Sequence, residues 1–176
     1  MGTCRLSGAT LGGTTVREIP KLPQARLYLK SAQWGIDELV KEKLMGYPFR
    51  FYMIGILASL RAVQHALRNH DRNISPMHRK VIDEWWNATP VDGPELLFIK
   101  FARDLILKEG SFESYATLSQ SGTGEGSNST VTAEDYDLAY WIDDERHDLL
   151  PELRRAAAWC DRELASIEAK LPEQTK

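Results

Sequence analysis

The chain has 176 residues, of which 43% are apolar, 9% aromatic and 27% charged, with 22 Lys and Arg against 25 Asp and Glu for a formal charge of −3. That length suits one domain able to bury a core, and the apolar fraction excludes a disordered polymer. No run of about 18 apolar residues occurs and the first residues lack the apolar stretch of a secretory signal, so a soluble, cytoplasmic protein with no membrane contact is expected. Cys4 and Cys160 stand far apart with no Cys/His spacing around either, which predicts free thiols and neither a metal nor a cofactor.

The first 22 residues mix Gly, Thr and Ser without a period and read as a flexible tail. Gly8, Gly12 and Gly13 follow no hydrophobic strand and precede no Lys-Ser/Thr pair, which excludes a phosphate loop. Leu6 stands where a myristoylation signal prefers Ser or Thr. From Pro23 the pattern turns helical: Ala25, Leu29, Ala32, Ile36, Leu39 and Leu44 share one face of a helix ending near Gly46 and Pro48. A second helix, Phe49 to about His70, is apolar all round in its first half, as in the centre of a bundle, with Met53, Ile56, Leu60, Val63 and Leu67 as its core stripe and Gly55 as a point of close helix contact.

Ser75-Pro76 predicts an N-cap and a proline at the first position of a short helix carrying Met77, Val81 and Trp85 on one face. Asp92-Gly-Pro-Glu95 predicts the start of a fourth helix, with Leu97, Phe101 and Leu105 inward and Gly110 as its stop. Residues 119–130, rich in Gly and Ser, read as a mobile loop. Thr132 with Asp135 predicts a fifth helix through Leu138, Ile142 and Leu149. Pro151 either kinks it or opens a further helix, in which Leu153, Ala157, Cys160, Leu164, Ile167 and Leu171 recur without a miss. Five or six helices in one domain over 23–171, followed by a tail at 172–176, predict an all-α, up-and-down bundle.

Charge is uneven: residues 1–110 hold 16 Lys/Arg and 11 Asp/Glu, residues 111–176 hold 6 and 14. Along helix two the stripe Phe51, Ile54, Ala58, Arg61, His65, Arg68 and Arg72 changes from apolar to basic, with Arg79 and Lys80 close behind. Guanidinium groups at that spacing suit phosphate oxygens of RNA or a nucleotide. The same stripe also describes a helix end whose cations complement the macrodipole and pair with neighbouring carboxylates. Asp144-Glu145-Arg146-His147 approaches the helical Glu-x-x-His of di-iron bundles, but a single copy with Asp in place of Glu makes no metal site. His65, His70 and His78 form no ligand spacing, and Trp34, Trp85, Trp86, Trp141 and Trp159 fall at or beside core positions and read as packing residues.

The run Phe98-Ile-Lys-Phe-Ala-Arg103-Asp104-Leu-Ile-Leu-Lys108-Glu109-Gly110 resembles the motif-bearing helix of the HEPN superfamily, small helical bundles often encoded in toxin-antitoxin and defence systems. The order of elements is similar too, from helix two with Leu60-Arg61-Ala62-Val63 to the Trp-bearing short helix, helix four, a polar loop and a C-terminal helix containing Cys160. The resemblance implies a homodimer through helices two and four, and a metal-independent RNase site built from Arg and His of paired subunits. Arg103 matches the family arginine, whereas Asp104 stands where Asn is usual and Lys108 where His is expected. An ordinary lysine, with a pKa of about 10.4, is protonated at neutral pH and takes no proton from a ribose hydroxyl. Arg72-Asn-Ile-Ser-Pro-Met-His78 repeats the Arg-to-His spacing but straddles the turn at Pro76.

The sequence therefore predicts a HEPN-like binding or partner module without RNase activity, taking RNA, a nucleotide or a protein partner. The alternative is an endoribonuclease with Arg103 at the scissile phosphate, Lys108 supporting the developing charge, and His65 or His78 supplying the acid/base group. A third reading is a structural scaffold with no ligand, and in all three Arg103 is also suited to a core ion pair.

Overall fold

The computed structural model describes residues 20–89, 93–104, 114–121, 133–142 and 145–172. Most of them lie in five α-helices: α1 (Pro23–Lys41), α2 (Gly46–Asn69), α3 (Pro76–Ala88), α4 (Pro94–Asp104) and α5 (Leu149–Ala169). Helix α1 packs on α2 and α5, α4 packs on the same two helices, and α3 joins the end of α2 through a one-turn 3-10 helix at Asp71–Asn73. The predicted helical bundle is thus the architecture.

The inward stripes follow the 3.6-residue period. Ala25, Leu29, Ala32, Ile36 and Leu39 of α1 are buried against Met53, Ile56, Leu60, Val63 and Leu67 of α2 and Leu153, Ala157, Cys160, Leu164 and Ile167 of α5. Each such aliphatic side chain contributes roughly 1.5–3 kcal/mol on burial. The fold starts earlier than the predicted tail allows, because Leu22 is buried in the core and Lys21 Nζ donates to the carbonyls of Glu168 and Leu171 at 3.1 and 2.8 Å, closing the C-terminal end of α5.

Helix α1 ends in a paired motif: Lys43 N–H donates to Val40 and Leu44 N–H to Leu39, which forces Lys43 to φ +45° where glycine is usual. The close approach of α1 and α2 falls at Gly35, not at the expected Gly55. A Cβ on Gly35 would lie 2.8 Å from Ile56 Cγ1, whereas a Cβ on Gly55 would meet nothing within 4 Å. The first half of α2 is likewise not wrapped on all sides, since Tyr47 and Phe51 are exposed.

The expected fifth helix is replaced by an antiparallel sheet of β1 (Ser114–Ser121), β2 (Ala133–Ile142) and β3 (Glu145–Asp148) in the order β1-β2-β3. Ala116 pairs with Leu138 and Leu118 with Tyr136, and Tyr140 pairs with His147. Tyr136, Leu138, Tyr140 and Ile142 alternate with period two, and aromatic and β-branched residues hold that pattern in a strand more firmly than Leu138, Ile142 and Leu149 hold a helix. Ser119–Ser121 of the expected loop belong to β1, while 122–130 lies outside the described residues. Leu138 and Tyr140 enter the core, where Tyr140 meets Phe98 of α4 with ring centroids 6.0 Å apart. Pro151 then stands in the first turn of α5, a position that tolerates it, and so opens a helix rather than kinking one.

On α4 the inward residues are Phe98, Ile99 and Ala102, with Leu97 and Phe101 exposed, one position away from the expected face. Leu105 and Gly110 lie outside the described residues, as do most of the N-terminal tail, residues 90–92 and residues 173–176.

Candidate functional site

The end of α2 and the outer face of α3 enclose an open cleft of about 420 Å³, lined by Arg68, Asn69, Arg72, Ile82, Asp83, Trp86 and Asn87. Its geometry begins with α3. Ser75 caps this helix, its Oγ accepting the His78 N–H at 3.3 Å, and Pro76 follows at the first helical position. Val81, Ile82 and Trp85 turn into the core, with Trp85 Nε1 donating to Glu163 of α5. Adjacent helical residues are about 100° apart around the axis. Anchoring Trp85 inward therefore turns Trp86, with Asp83 and Asn87, toward the end of α2.

From the α2 side, Arg68 lies over the Trp86 ring, its guanidinium carbon 5.3 Å from the ring centroid. Arg72, on the 3-10 turn, grips Asp83 with two hydrogen bonds, Nε to Oδ1 at 2.6 Å and Nη2 to Oδ2 at 2.8 Å. The Arg72 guanidinium holds the Asp83 carboxyl below the usual carboxylate range, and the charges of Arg72, Arg79 and Arg68 act in the same direction. The Asp83 carboxylate in turn raises Arg72. One carboxylate thus shares the cleft with two guanidinium groups and an indole, with the charge of Arg79 also felt.

The turn bearing Arg72 is fixed by its neighbour. Asp71 is completely buried, and its two carboxylate oxygens accept the backbone N–H groups of Gln24 and Ala25 at 3.1 and 2.9 Å. It caps α1 from a distant part of the chain, satisfying donors that the helix itself leaves open. Burial pushes its carboxyl above the usual range, with the two N–H donors and the nearby His70 and His78 working against that rise.

The structure separates the predicted basic stripe into two parts. Arg68 and Arg72 meet in the cleft. Arg61 and His65 do not line it: Arg61 donates to Gln64 one turn along the same helix, and His65 stands exposed on α2. Of the HEPN-like motif, Arg103 and Asp104 occupy the end of α4, and Lys108 lies outside the described residues. His78, the alternative acid/base group, is buried with both ring nitrogens engaged, Nδ1 with Ser75 Oγ at 2.8 Å and Nε2 with the Lys21 carbonyl at 3.1 Å.

Two tryptophans depart from the packing expectation. Trp34 is 59% exposed beside Tyr52, whose ring in turn meets Phe51, and Trp86 is 36% exposed in the cleft. Of the Asp144–His147 segment, Glu145, Arg146 and His147 lie in strand β3, where His147 stacks on Tyr140, and among the described residues no group of three or more His, Cys, Asp or Glu is placed to hold a metal. Cys160 is buried and its thiol is pushed up to about 12, mainly by desolvation. No described helix is long and apolar enough to cross a membrane.

The cleft residues that sequence reasoning missed are Asn69, Ile82, Asp83, Trp86 and Asn87. Their signal was the Trp85-Trp86 pair: on a helix with one buried face, two adjacent tryptophans cannot both be central to it. No protein-family model, curated protein or solved structure matches the chain.

Proposed function

We propose that the chain is a HEPN-like binding module rather than a nuclease, and that it takes a phosphate-bearing ligand, RNA or a nucleotide, in the cleft between α2 and α3. The observation that carries this reading is the juxtaposition of Arg68 and Arg72 with the partly exposed indole of Trp86 in one cleft. Guanidinium forks suit phosphate oxygens, and an indole face suits a nucleobase whatever its identity, so together they recognise a nucleotide unit without needing sequence information. Asn69 and Asn87 add donors and acceptors at the rim.

The nuclease alternative draws less support. Of the two candidate acid/base groups, both nitrogens of His78 are committed to structural hydrogen bonds, and His65 does not line the cleft. The homodimer expectation finds its support in the exposed aromatic residues Trp34, Tyr47 and Phe51 on α1 and α2. A role beside a partner protein in a defence-type system belongs to the same reading.

Titration of a fluorescein-labelled single-stranded RNA of about eight nucleotides, a length within the usual range of single-strand sites, tests the proposal. The intact chain is expected to bind with an affinity that falls steeply with salt, by a slope of about 0.7 for each phosphate engaged. Arg72→Ala and Arg68→Ala are each expected to weaken binding about tenfold and to flatten that slope. Unchanged binding in both variants would remove the cleft from the account. Cleavage of the RNA that disappears in Arg103→Ala would replace the binding module with the nuclease.

A further inference from the structure

The α2–α3 cleft carries an anion of its own on one of its guanidinium groups. Arg72 presents Nε and Nη2 to the two oxygens of Asp83, the fork geometry that it would offer to a phosphate. Arg68 lines the same cleft, and its charge and that of Arg79 lower the Asp83 carboxyl further, so the cleft lining holds two guanidinium groups to one carboxylate. Neither partner is locked by packing: the side chains of Arg72 and Asp83 retain 34% and 44% of their exposure. An exposed ion pair is weakened by water and salt, and water can receive the carboxylate when it leaves. A phosphate entering the cleft meets the guanidinium groups of Arg68 and Arg72, and as a multiply charged anion it answers them with more charge than the single carboxylate of Asp83.

The geometry points to Asp83 as an internal anion that holds the phosphate position of the cleft in the free chain, and that a phosphate-bearing ligand must displace from Arg72. This inference rests on the reading of the cleft as a phosphate-binding site and adds its regulation: the free chain restrains its own affinity, and anything that draws Asp83 away opens the site. A purely structural Asp83, one that holds Arg72 in the posture a ligand needs, makes the opposite prediction for its removal.

Asp83→Asn preserves the shape of the side chain while removing the competing charge, and Asp83→Ser removes charge and reach together. Glu84→Gln, at the next position of α3 and not part of the cleft lining, changes the net charge equally without releasing Arg72. The probes are a short single-stranded RNA carrying a 5′-phosphate and the same RNA ending in a 5′-hydroxyl, titrated against the intact chain and the three variants, with thermal melts recorded alongside. Both Asp83 variants are expected to bind the phosphorylated RNA about tenfold tighter than the intact chain, an energy on the scale of one charge-assisted contact. Glu84→Gln is expected to gain less than about twofold. The gain should be larger for the 5′-phosphate than for the 5′-hydroxyl, because a terminal phosphate carries about −1.5 to −2 charges and feels the restored positive field more strongly.

Weaker binding in Asp83→Asn and Asp83→Ser would make Asp83 a strut for Arg72 and overturn the inference while leaving the binding site in place. Equal gains in the Asp83 variants and Glu84→Gln would reduce the effect to net charge and overturn it as well. Binding of neither RNA by the intact chain or the Asp83 variants would remove the inference together with the reading beneath it.

Discussion

Replacing Asp71 by alanine is expected to destabilise the fold by about 2–4 kcal/mol. The magnitude follows from the two backbone donors, Gln24 N–H and Ala25 N–H, that the Asp71 carboxylate satisfies at 3.1 and 2.9 Å from a completely buried position. Each donor left without a partner costs roughly 1–3 kcal/mol, and relief from desolvating the carboxylate returns part of the sum. For a chain of this length each kcal/mol moves the melting temperature by about 2–4 °C. Urea and thermal denaturation followed by circular dichroism measure the loss. Asp71→Asn keeps one acceptor and should lose about half as much. The pH dependence carries a definite sign. Burial raises the folded carboxyl above its unfolded value, so the folded chain holds this proton more tightly than the unfolded chain. Stability contributed by Asp71 is therefore fullest below the unfolded pKa, near 3.9 for an ordinary Asp, and declines as pH rises through the folded value. The stability difference between the intact chain and Asp71→Asn should shrink across that window as pH increases. A loss below about 1 kcal/mol in Asp71→Ala, or a difference that grows with pH there, would refute the distant cap as described.

Four further variants test the packing. Gly55→Ala, with open space around its Cβ, should stabilise the fold by up to about 1 kcal/mol through helix propensity, whereas Gly35→Ala must push Ile56 aside and should cost about 1–2 kcal/mol after the same gain; comparison of their urea midpoints decides. Lys43→Gly should relieve the left-handed backbone at φ +45° and raise stability by about 1 kcal/mol, and an unchanged or lowered midpoint would contradict the paired α1 terminus. In a Cys4→Ser background the Cys160 thiol, buried and pushed up to about 12, should resist a thiol-reactive disulfide reagent at pH 8 until the chain is unfolded; rapid reaction of the native form would contradict its burial in α5.

The helices that were legible in the sequence are those with one continuous inward stripe. Leu29, Ile36 and Leu39 on α1 and Leu153, Cys160 and Leu164 on α5 recur at helical spacing because a single face of each helix meets the core. The sheet was not legible in this way. Leu138, Ile142 and Leu149 satisfy helical spacing over a segment whose Tyr136, Leu138 and Tyr140 also alternate, and pairing with the small polar residues of β1 selects the strand. Helix α4 slipped by one position because Leu97, Phe98 and Phe101 are all apolar and only tertiary contact with Tyr140 distinguishes Phe98.

The site shows the same division. Arg68 and Arg72 were visible as members of a basic stripe on one element. Their partners Asp83 and Trp86 come from another helix, placed by the Ser75 cap and the inward anchor of Trp85, and no spacing within α2 encodes them. His78, a candidate acid/base group in the sequence, and Asp71, which no pattern singled out, both serve to pin the chain entering α1, His78 through the Lys21 carbonyl and Asp71 through Gln24 and Ala25. Arg61, spaced to continue the stripe, instead turns to Gln64 on its own helix.

Amide chemical-shift mapping with a 5′-phosphorylated single-stranded RNA, with the RNA recovered and sized at the end of the titration, tests the binding-module account most directly. The account predicts shifts concentrated at Arg68, Asn69 and Arg72 and at Ile82, Asp83, Trp86 and Asn87, with the RNA recovered at full length. Shifts gathered instead around Arg103 and Asp104, with shortened RNA, would contradict it.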